Sequence, residues 1–299
     1  MRHAYLIIAH NDFEMLNALL SALDDERNDI YVHIDIKAKN YNENILKESV
    51  KFGNLHVYQE IDVRWGTESQ VKCEMFLIKK AVNHRYHDYY HIISGVDYPI
   101  KSLDEIDAFF EKNYGKEFIH FDKSLASEEA LDRVFYFHPF NKFYKVTGSK
   151  IIHRLFFVLD DLCVQFQKAF HKKKRLPFEI IQKGCNWCSI THDCAQYIIK
   201  SERKIETLVK KSRCADEVFI QTIVVNSKFI NNLYLPTFNN DYRSCARLIV
   251  WDKNNIRSPK TLTLSDYQLI IDSEQIYARK LNSQISKELI QVLKQEVNK

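Results

Sequence analysis

The sequence is poor in glycine, and its few glycines are scattered. Gly53, Gly66, Gly95, Gly115, Gly148 and Gly184 stand too far apart to build a G-x-G-x-x-G turn or a G-x-x-x-x-G-K-[ST] phosphate loop. A nucleotide bound here must therefore be held more by side chains. No stretch approaches the roughly 18 to 20 apolar residues of a spanning helix, and the early apolar run, Ala4 to Ala9, passes at once into His10, Asn11 and Asp12. That pattern is not a secretory signal, and the expectation is a cytosolic protein, at most peripheral on the inner face of a membrane. The seven cysteines are odd in number and follow no framework spacing, so they read as reduced thiols. Cys185 and Cys188 form a C-x-x-C, but without a second pair or an H-x(3-5)-H they read as small packing residues rather than zinc ligands. A G-x-S-x-G elbow and an H-E-x-x-H pair are also missing. With a net charge of only +4, nothing at this level points to nucleic acid.

What is present is a regular β-α alternation in a chain of 299 residues, 45% of them hydrophobic. Ala4 to Ala9 reads as a strand buried on both faces, followed by a helix with a capping-box-like start at Asn11 and Glu14. Ile30 to Ile36 is a second strand, Glu43 to Val50 a weak helix and Leu55 to Tyr58 a third strand. Thr67 and Gln70 read as a capping box for a helix ending near Asn83, before a strand at His87 to Ser94. Ser102 and Glu105 cap the next helix, and Lys116 to Phe121 reads as a further strand. Such alternation predicts an open parallel sheet with right-handed crossovers, whose ligands lie outside the carboxyl ends of the strands. His10, Asp35 and Asp97 all fall at those ends, although polar residues there also cap helices and make turns.

The second half is less regular. Ile151 to Phe170 carries a broad apolar stripe and runs into His171-Lys172-Lys173-Lys174-Arg175. Such a helix can lie on an anionic membrane surface, but the commoner explanation is a core helix whose C-terminal cations complement its dipole. Gly184 to Lys200 reads as a strand, a helix start at Thr191 or Asp193, and a helix. A strand runs through Leu248 to Trp251, and an amphipathic helix through Ser286 to Lys299. Between these, SRCADEVFIQTI (Ser212 to Ile223) sets Asp216 and Glu217 ahead of an apolar helical pattern. The pair could cap that helix, or Glu217 could be a general base aimed into a cleft. No Asp-x-Asp occurs in the chain, so if sugar transfer is the reaction, cationic side chains would have to neutralise a leaving diphosphate.

The motifs AYLIIAHNDFEML (from Ala4), YVHID (from Tyr31), RWGTESQV (from Arg64), HIISGVDYPIKS (from His91), GCNWCSIT (from Gly184) and ADEVFIQTI (from Ala215) occur in one order. Together they resemble the core-2/I-branching β-1,6-N-acetylglucosaminyltransferase family, which also includes peptide O-xylosyltransferases. The resemblance spans nearly the whole chain, is strongest before Phe121 and weakest from Ser124 to Lys183, and suggests a compact bacterial-type relative. It implies a GT-A-like α/β catalytic domain, with a nucleotide-binding half over residues 1–122 and an acceptor half over 123–299. It further implies an inverting, metal-independent transferase without cofactor, moving N-acetylglucosamine from a UDP-sugar to a glycan, with UDP-xylose, UDP-glucose and UDP-galactose as alternative donors. A glycan- or nucleotide-binding relative without turnover is the alternative class.

By position, the resemblance makes Glu217 the catalytic base. Ile8, His10, Asp35 and Asp97 fall at or beside the donor site, and Arg257 and Lys280 fall on two cations that hold the diphosphate. Trp251, Trp187 and Asp216 fall on the acceptor side. Lys253 stands where the family has a second acceptor aromatic, which leaves the acceptor open, a lipid-linked oligosaccharide included. Each residue also has an ordinary structural reading: Glu217 and Asp216 as helix-start carboxylates, Arg257 and Lys280 as surface cations, Trp251 as a core aromatic, Asp97 as a turn residue before Pro99.

Overall fold

The computed structural model describes residues 1–39, 41–123, 128–144, 149–252 and 255–297, except the side chains of 128–130, 150, 252 and 255–257. Lys253, noted above for the acceptor side, lies outside the described residues. The chain begins with β1 (His3–Ala9), α1 (Phe13–Ala22), β2 (Asn28–Ile34), α2 (Glu43–Glu48), β3 (Asn54–Tyr58), α3 (Glu68–His84) and β4 (Tyr89–Ser94). It continues through β5 (Asp97–Pro99), α4 (Leu103–Lys112), α5 (Glu128–Phe135), α6 (Lys150–Ala169), β6 (Cys188–Thr191), α7 (His192–Lys200), α8 (Glu202–Val209) and α9 (Phe219–Val225). The last elements are β7 (Arg247–Ile249), β8 (Trp251–Asp252), β9 (Asn255–Pro259), α10 (Tyr267–Ile271), β10 (Tyr277–Arg279) and α11 (Lys287–Val297).

The main sheet has the order β3-β2-β1-β4-β6, parallel except for β6, which pairs antiparallel with β4. This is the α/β, GT-A-like arrangement that the alternation and the motifs imply. Because side chains alternate along a strand, Tyr5, Ile7, Ile30, Val32, Tyr89 and Ile93 face one core with α1, α4 and α11. Ala4, Leu6, Tyr31, Tyr90 and Ile92 face the other, with α3, α7, α8 and α9. Both faces are covered, which is why the strands read as nearly continuous apolar runs. β6 comes from the second half of the chain, so the two halves share one sheet.

The caps follow the sequence closely with two changes. Ser102 and Glu105 form a full capping box on α4, and Thr67 caps α3 by accepting from Ser69 N–H. Gln70, expected to complete a box there, instead takes the Gly66 N–H through Oε1 at 2.5 Å. The cap of α1 is Asp12 rather than Asn11, and Asp12 holds a left-handed backbone. Its other carboxylate oxygen takes the Asn282 side chain and the Ser283 N–H, so a long-range partner fixes which residue caps.

Three expectations need correction. Residues 116–121 form no strand: Phe118 pairs with Ser189 and Glu117 bridges to Leu233 as isolated bridges. The Glu117 carboxylate instead accepts from the N–H and hydroxyl of Thr191, and the chain then meets Gly184, whose absent side chain would lie 1.9 Å from the His120 carbonyl oxygen. The strand expected through Leu248 to Trp251 is split at Val250 into β7 and β8. Finally, α6 is not a core helix. Its apolar stripe points outward, while Asp160 is fully buried and accepts from the Phe140 N–H and the Tyr144 hydroxyl.

Candidate active site

The carboxyl ends of β1, β2 and β4 are joined to neighbouring turns and to the C-terminal segment. The turn after β4 is tied to β1 by Gly95 N–H donating to the Ile8 carbonyl, and to the C-terminal segment by Leu281 N–H donating to the Val96 carbonyl. Ile8 is half-buried there and His10 is exposed. At the end of β2, Asp35 is buried, accepts from the Lys37 N–H at 2.8 Å and pairs with the Lys37 ammonium at 3.3 Å. Lys37 also binds Asp62, which Arg64 holds at 2.7 Å. The Asp35 N–H donates to the Ala9 carbonyl at 2.9 Å, which keeps the ends of β1 and β2 paired beside this ion-pair group.

Asp97 is 1% exposed, and both of its carboxylate oxygens are engaged. Oδ2 accepts from Ser94 N–H at 2.7 Å, and Oδ1 accepts from the Arg279 guanidinium at 2.7 Å. Arg279 also donates to the Ser94 hydroxyl and lies over the Trp187 ring, 3.6 Å from its centroid. Asp97, Arg279 and Trp187 thus form one packed unit joining the β4 turn, β10 and the segment before β6. Lys280 follows Arg279 directly and is half-buried, and its ammonium has no partner among the described residues. Arg257 lies on β9, its side chain outside those described.

Asp216 and Glu217 end a short 3-10 turn, Ala215–Glu217, and neither side chain caps α9. That removes the capping explanation for the pair. Glu217 is 39% exposed on its side chain, and its Oε2 accepts from Arg133 at 2.7 Å with the Lys183 ammonium 3.8 Å away. Its carbonyl accepts from Gly184 N–H at 2.9 Å, so the base candidate is fastened to the segment that carries Trp187. Lys183 is shared with Asp122 at 2.7 Å.

Asp216 turns the other way, into the protein, where it accepts from the Gln70 amide at 3.1 Å. Its second oxygen has no hydrogen-bond partner, nor does one oxygen of the buried Glu74, whose other oxygen takes the Asn186 amide at 2.8 Å. Burial, and then the charge of Glu217, push Asp216 up to about 7. Burial, and then Asp216, push Glu74 well above the usual carboxylate range. Charge in this pair is disfavoured because desolvation and like charge act together.

A stability consequence follows. The folded form holds the proton on Asp216, so that stabilisation is complete below the ordinary carboxylate value near 4 and is lost as pH rises through about 7. Asp216→Asn should therefore unfold at higher urea than the parent above pH 7, by roughly 2–4 kcal/mol, with the difference vanishing near pH 4. Urea titrations of both proteins across that range check it.

On the far side of Glu217, His120 is buried and neutral: Nδ1 accepts from Cys185 N–H and Nε2 donates to Asn240, both at 3.0 Å. Its ring stacks on Tyr242 at 4.3 Å, and Tyr242 lies beside Trp251, which is 41% exposed and is not a core aromatic. A cavity of ≈640 Å³ opens next to Tyr242 and Arg247, and one of ≈460 Å³ lies between α3 and α8. Glu217, His10, Asp35 and Asp97 line neither. Among the described residues no group of three or more His, Cys, Asp or Glu side chains is arranged to hold a metal ion.

Arg133, Lys183, Gln70, Glu74 and Arg279 were not singled out from the sequence as site residues. Gln70 stood inside a quoted motif and Arg279 beside a candidate, so position could have flagged both. Arg133 and Lys183 fall in the irregular region and carried no signal.

The family model for the core-2/I-branching enzyme matches residues 3–271. Xylosyltransferase 2 of Rattus norvegicus is 21% identical over 314 aligned positions, covering 98% of this chain and 33% of the relative. Xylosyltransferase sqv-6 of Caenorhabditis briggsae is 22% identical over 291, covering 89% and 33%. The chain thus spans about a third of the length of these curated relatives. Among solved structures, mouse xyloside xylosyltransferase 1 in its apo form aligns at a TM-score of 0.39 and 10% identity, covering 93% of this chain and 96% of that one.

Proposed function

This chain belongs to the core-2/I-branching enzyme family, and from that premise we propose that it is an inverting glycosyltransferase that uses a UDP-sugar, N-acetylglucosamine being the first donor to try. The acceptor is a hydroxyl of a glycan, as in the synthesis of a surface polysaccharide or glycoconjugate. One feature carries the reading: Glu217 is half-exposed, caps no helix and is steered by Arg133 and Lys183. A carboxylate so held is fixed in direction, open to solvent and free of any helix-capping duty, so an acceptor hydroxyl can reach it.

In the proposed reaction Glu217 takes the proton of the acceptor hydroxyl as its oxygen bonds to the anomeric carbon. The bond from that carbon to the β-phosphate oxygen breaks on the opposite face, and UDP leaves with the electron pair. Lys280, and Arg257 with it, neutralise the diphosphate, a role that metal ions fill in other transferases. His10, Ile8 and Asp35 border the nucleotide. Asp97 acts through Arg279, which it holds against Trp187 beside Lys280. Trp251 and Trp187 offer aromatic faces to the acceptor sugar, whereas Asp216, turned inward onto Gln70, supports the turn that carries the base instead of touching the acceptor.

Lys280→Ala tests the donor half of this proposal. Loss of one charge-assisted contact should weaken UDP about tenfold to a hundredfold in calorimetry while leaving the thermal unfolding unchanged. Unaltered UDP affinity would remove Lys280 from the site.

A further inference from the structure

α6 presents an apolar face to solvent. Ile151, Leu155, Val158, Leu162, Phe166 and Phe170 are 82, 54, 48, 60, 60 and 59% exposed, and their spacing of three and four residues places them on one side of the helix. The stripe is about 30 Å long for twenty residues at 1.5 Å each. On the opposite side Asp160 is buried, and Gln167 bonds both backbone groups of Phe137. Val164 is buried and Phe156 and Phe157 pack on Phe143 and Tyr144 on that inner side too, so the helix is apolar outside as well as inside, and an exposed apolar face of this size marks an interaction surface.

Charge identifies what covers it. The other acid of the helix, Asp161, is taken by Arg213 at 3.0 Å, whereas Arg154 on the helix and Lys172, Lys173 and Arg175 just beyond it are exposed. Lys174 is not part of this set, because its ammonium turns inward to the carbonyls of Leu208 and Lys210. A second copy laid on the face in parallel would set one basic run against the other. Laid antiparallel, it would set each basic run against Arg154. An anionic surface suffers neither repulsion.

We propose that α6 lies in the plane of an anionic membrane surface, its apolar stripe in the headgroup boundary and Lys172, Lys173 and Arg175 on the acidic lipid headgroups. No helix among the described residues is long and apolar enough to cross a membrane, so the contact is peripheral. The proposal goes beyond sugar transfer and is tested separately from it.

The test is flotation of the whole protein with vesicles of phosphatidylcholine alone and of phosphatidylcholine with phosphatidylglycerol, at low and high salt. The protein should float with the anionic vesicles at low salt and release at high salt. K172Q/R175Q should bind them about 30-fold more weakly, at roughly a fivefold loss per cation. L162D/F166D should not bind, while its thermal unfolding stays that of the parent; L155D, two turns toward the N-terminus on the same stripe, gives the same readout should the double variant fail to fold. The proposal is overturned if the parent ignores anionic vesicles at low salt or floats equally with both compositions. A lipid-indifferent dimer that L162D/F166D splits in light scattering would make the face an interface between copies instead.

Discussion

Glu217→Gln should bind UDP as the parent does and release UDP from a UDP-sugar in the presence of acceptor on the order of 100- to 10,000-fold more slowly. The substitution keeps the shape of the side chain and an oxygen for the Arg133 guanidinium, which now sits 2.7 Å from Oε2. It removes only the capacity to take a proton. The turn that carries the residue should not move, because the substitution leaves intact its main-chain ties, Glu217 O to Gly184 N–H and Cys214 N–H to Gly66 O, and the Gln70 amide on Asp216. Calorimetry with UDP and a coupled assay for UDP release separate binding from turnover. Parent-like turnover would show that the proton goes elsewhere, and loss of UDP binding along with turnover would make Glu217 a binding group.

The second large effect concerns stability. Asp97→Ala should destabilise the fold by about 3–5 kcal/mol, because it strands a buried guanidinium. Arg279 is 12% exposed on its side chain, its Nε already lacks a partner, and Asp97 is the carboxylate that pairs with it. Truncating Asp97 also frees the Ser94 N–H that its other oxygen accepts from. Removing the charge as well, in Asp97→Ala with Arg279→Met, should restore much of the loss, since an apolar replacement of a buried pair is often nearly neutral. Urea unfolding of the two single variants and the double variant reads the coupling directly. A cost under about 1 kcal/mol for Asp97→Ala, the range of an exposed pair, would contradict the account.

Much of the frame was legible because it is periodic. β1 is legible as an unbroken apolar run and β2 as an apolar run interrupted by His33, and both strands are buried on both faces. Ser102 and Glu105 announced α4 because a capping box is a local device whose partners lie three residues apart. The places of His10 and Asp35 follow from the strands that end just before them. What stayed hidden is long-range. Arg133 reaches Glu217 from 84 residues away, and nothing local to either residue encodes that contact. Arg279 and Lys280 look alike in sequence, and it takes the fold to turn Arg279 inward onto Asp97 and Trp187. The stripe on α6 is legible in the sequence, but periodicity says only that a face is apolar. It does not say whether protein, lipid or water lies against it.

The pair that sequence left ambiguous is divided by geometry. Asp216 faces α3 and the buried Glu74, and Glu217 faces Arg133, Lys183 and solvent. The two adjacent carboxylates thus sit in different surroundings: burial favours a proton on Asp216, while Glu217 is ion-paired and open to solvent.

The central claim is sugar transfer from a UDP-sugar without metal. It is tested most directly by UDP release from UDP-N-acetylglucosamine, UDP-xylose, UDP-glucose and UDP-galactose, each with and without a panel of glycan acceptors, in the presence of EDTA. The account predicts that one donor yields UDP, that an acceptor accelerates the release, and that EDTA leaves the rate unchanged. Consumption of none of the donors, or release that EDTA stops, would contradict it.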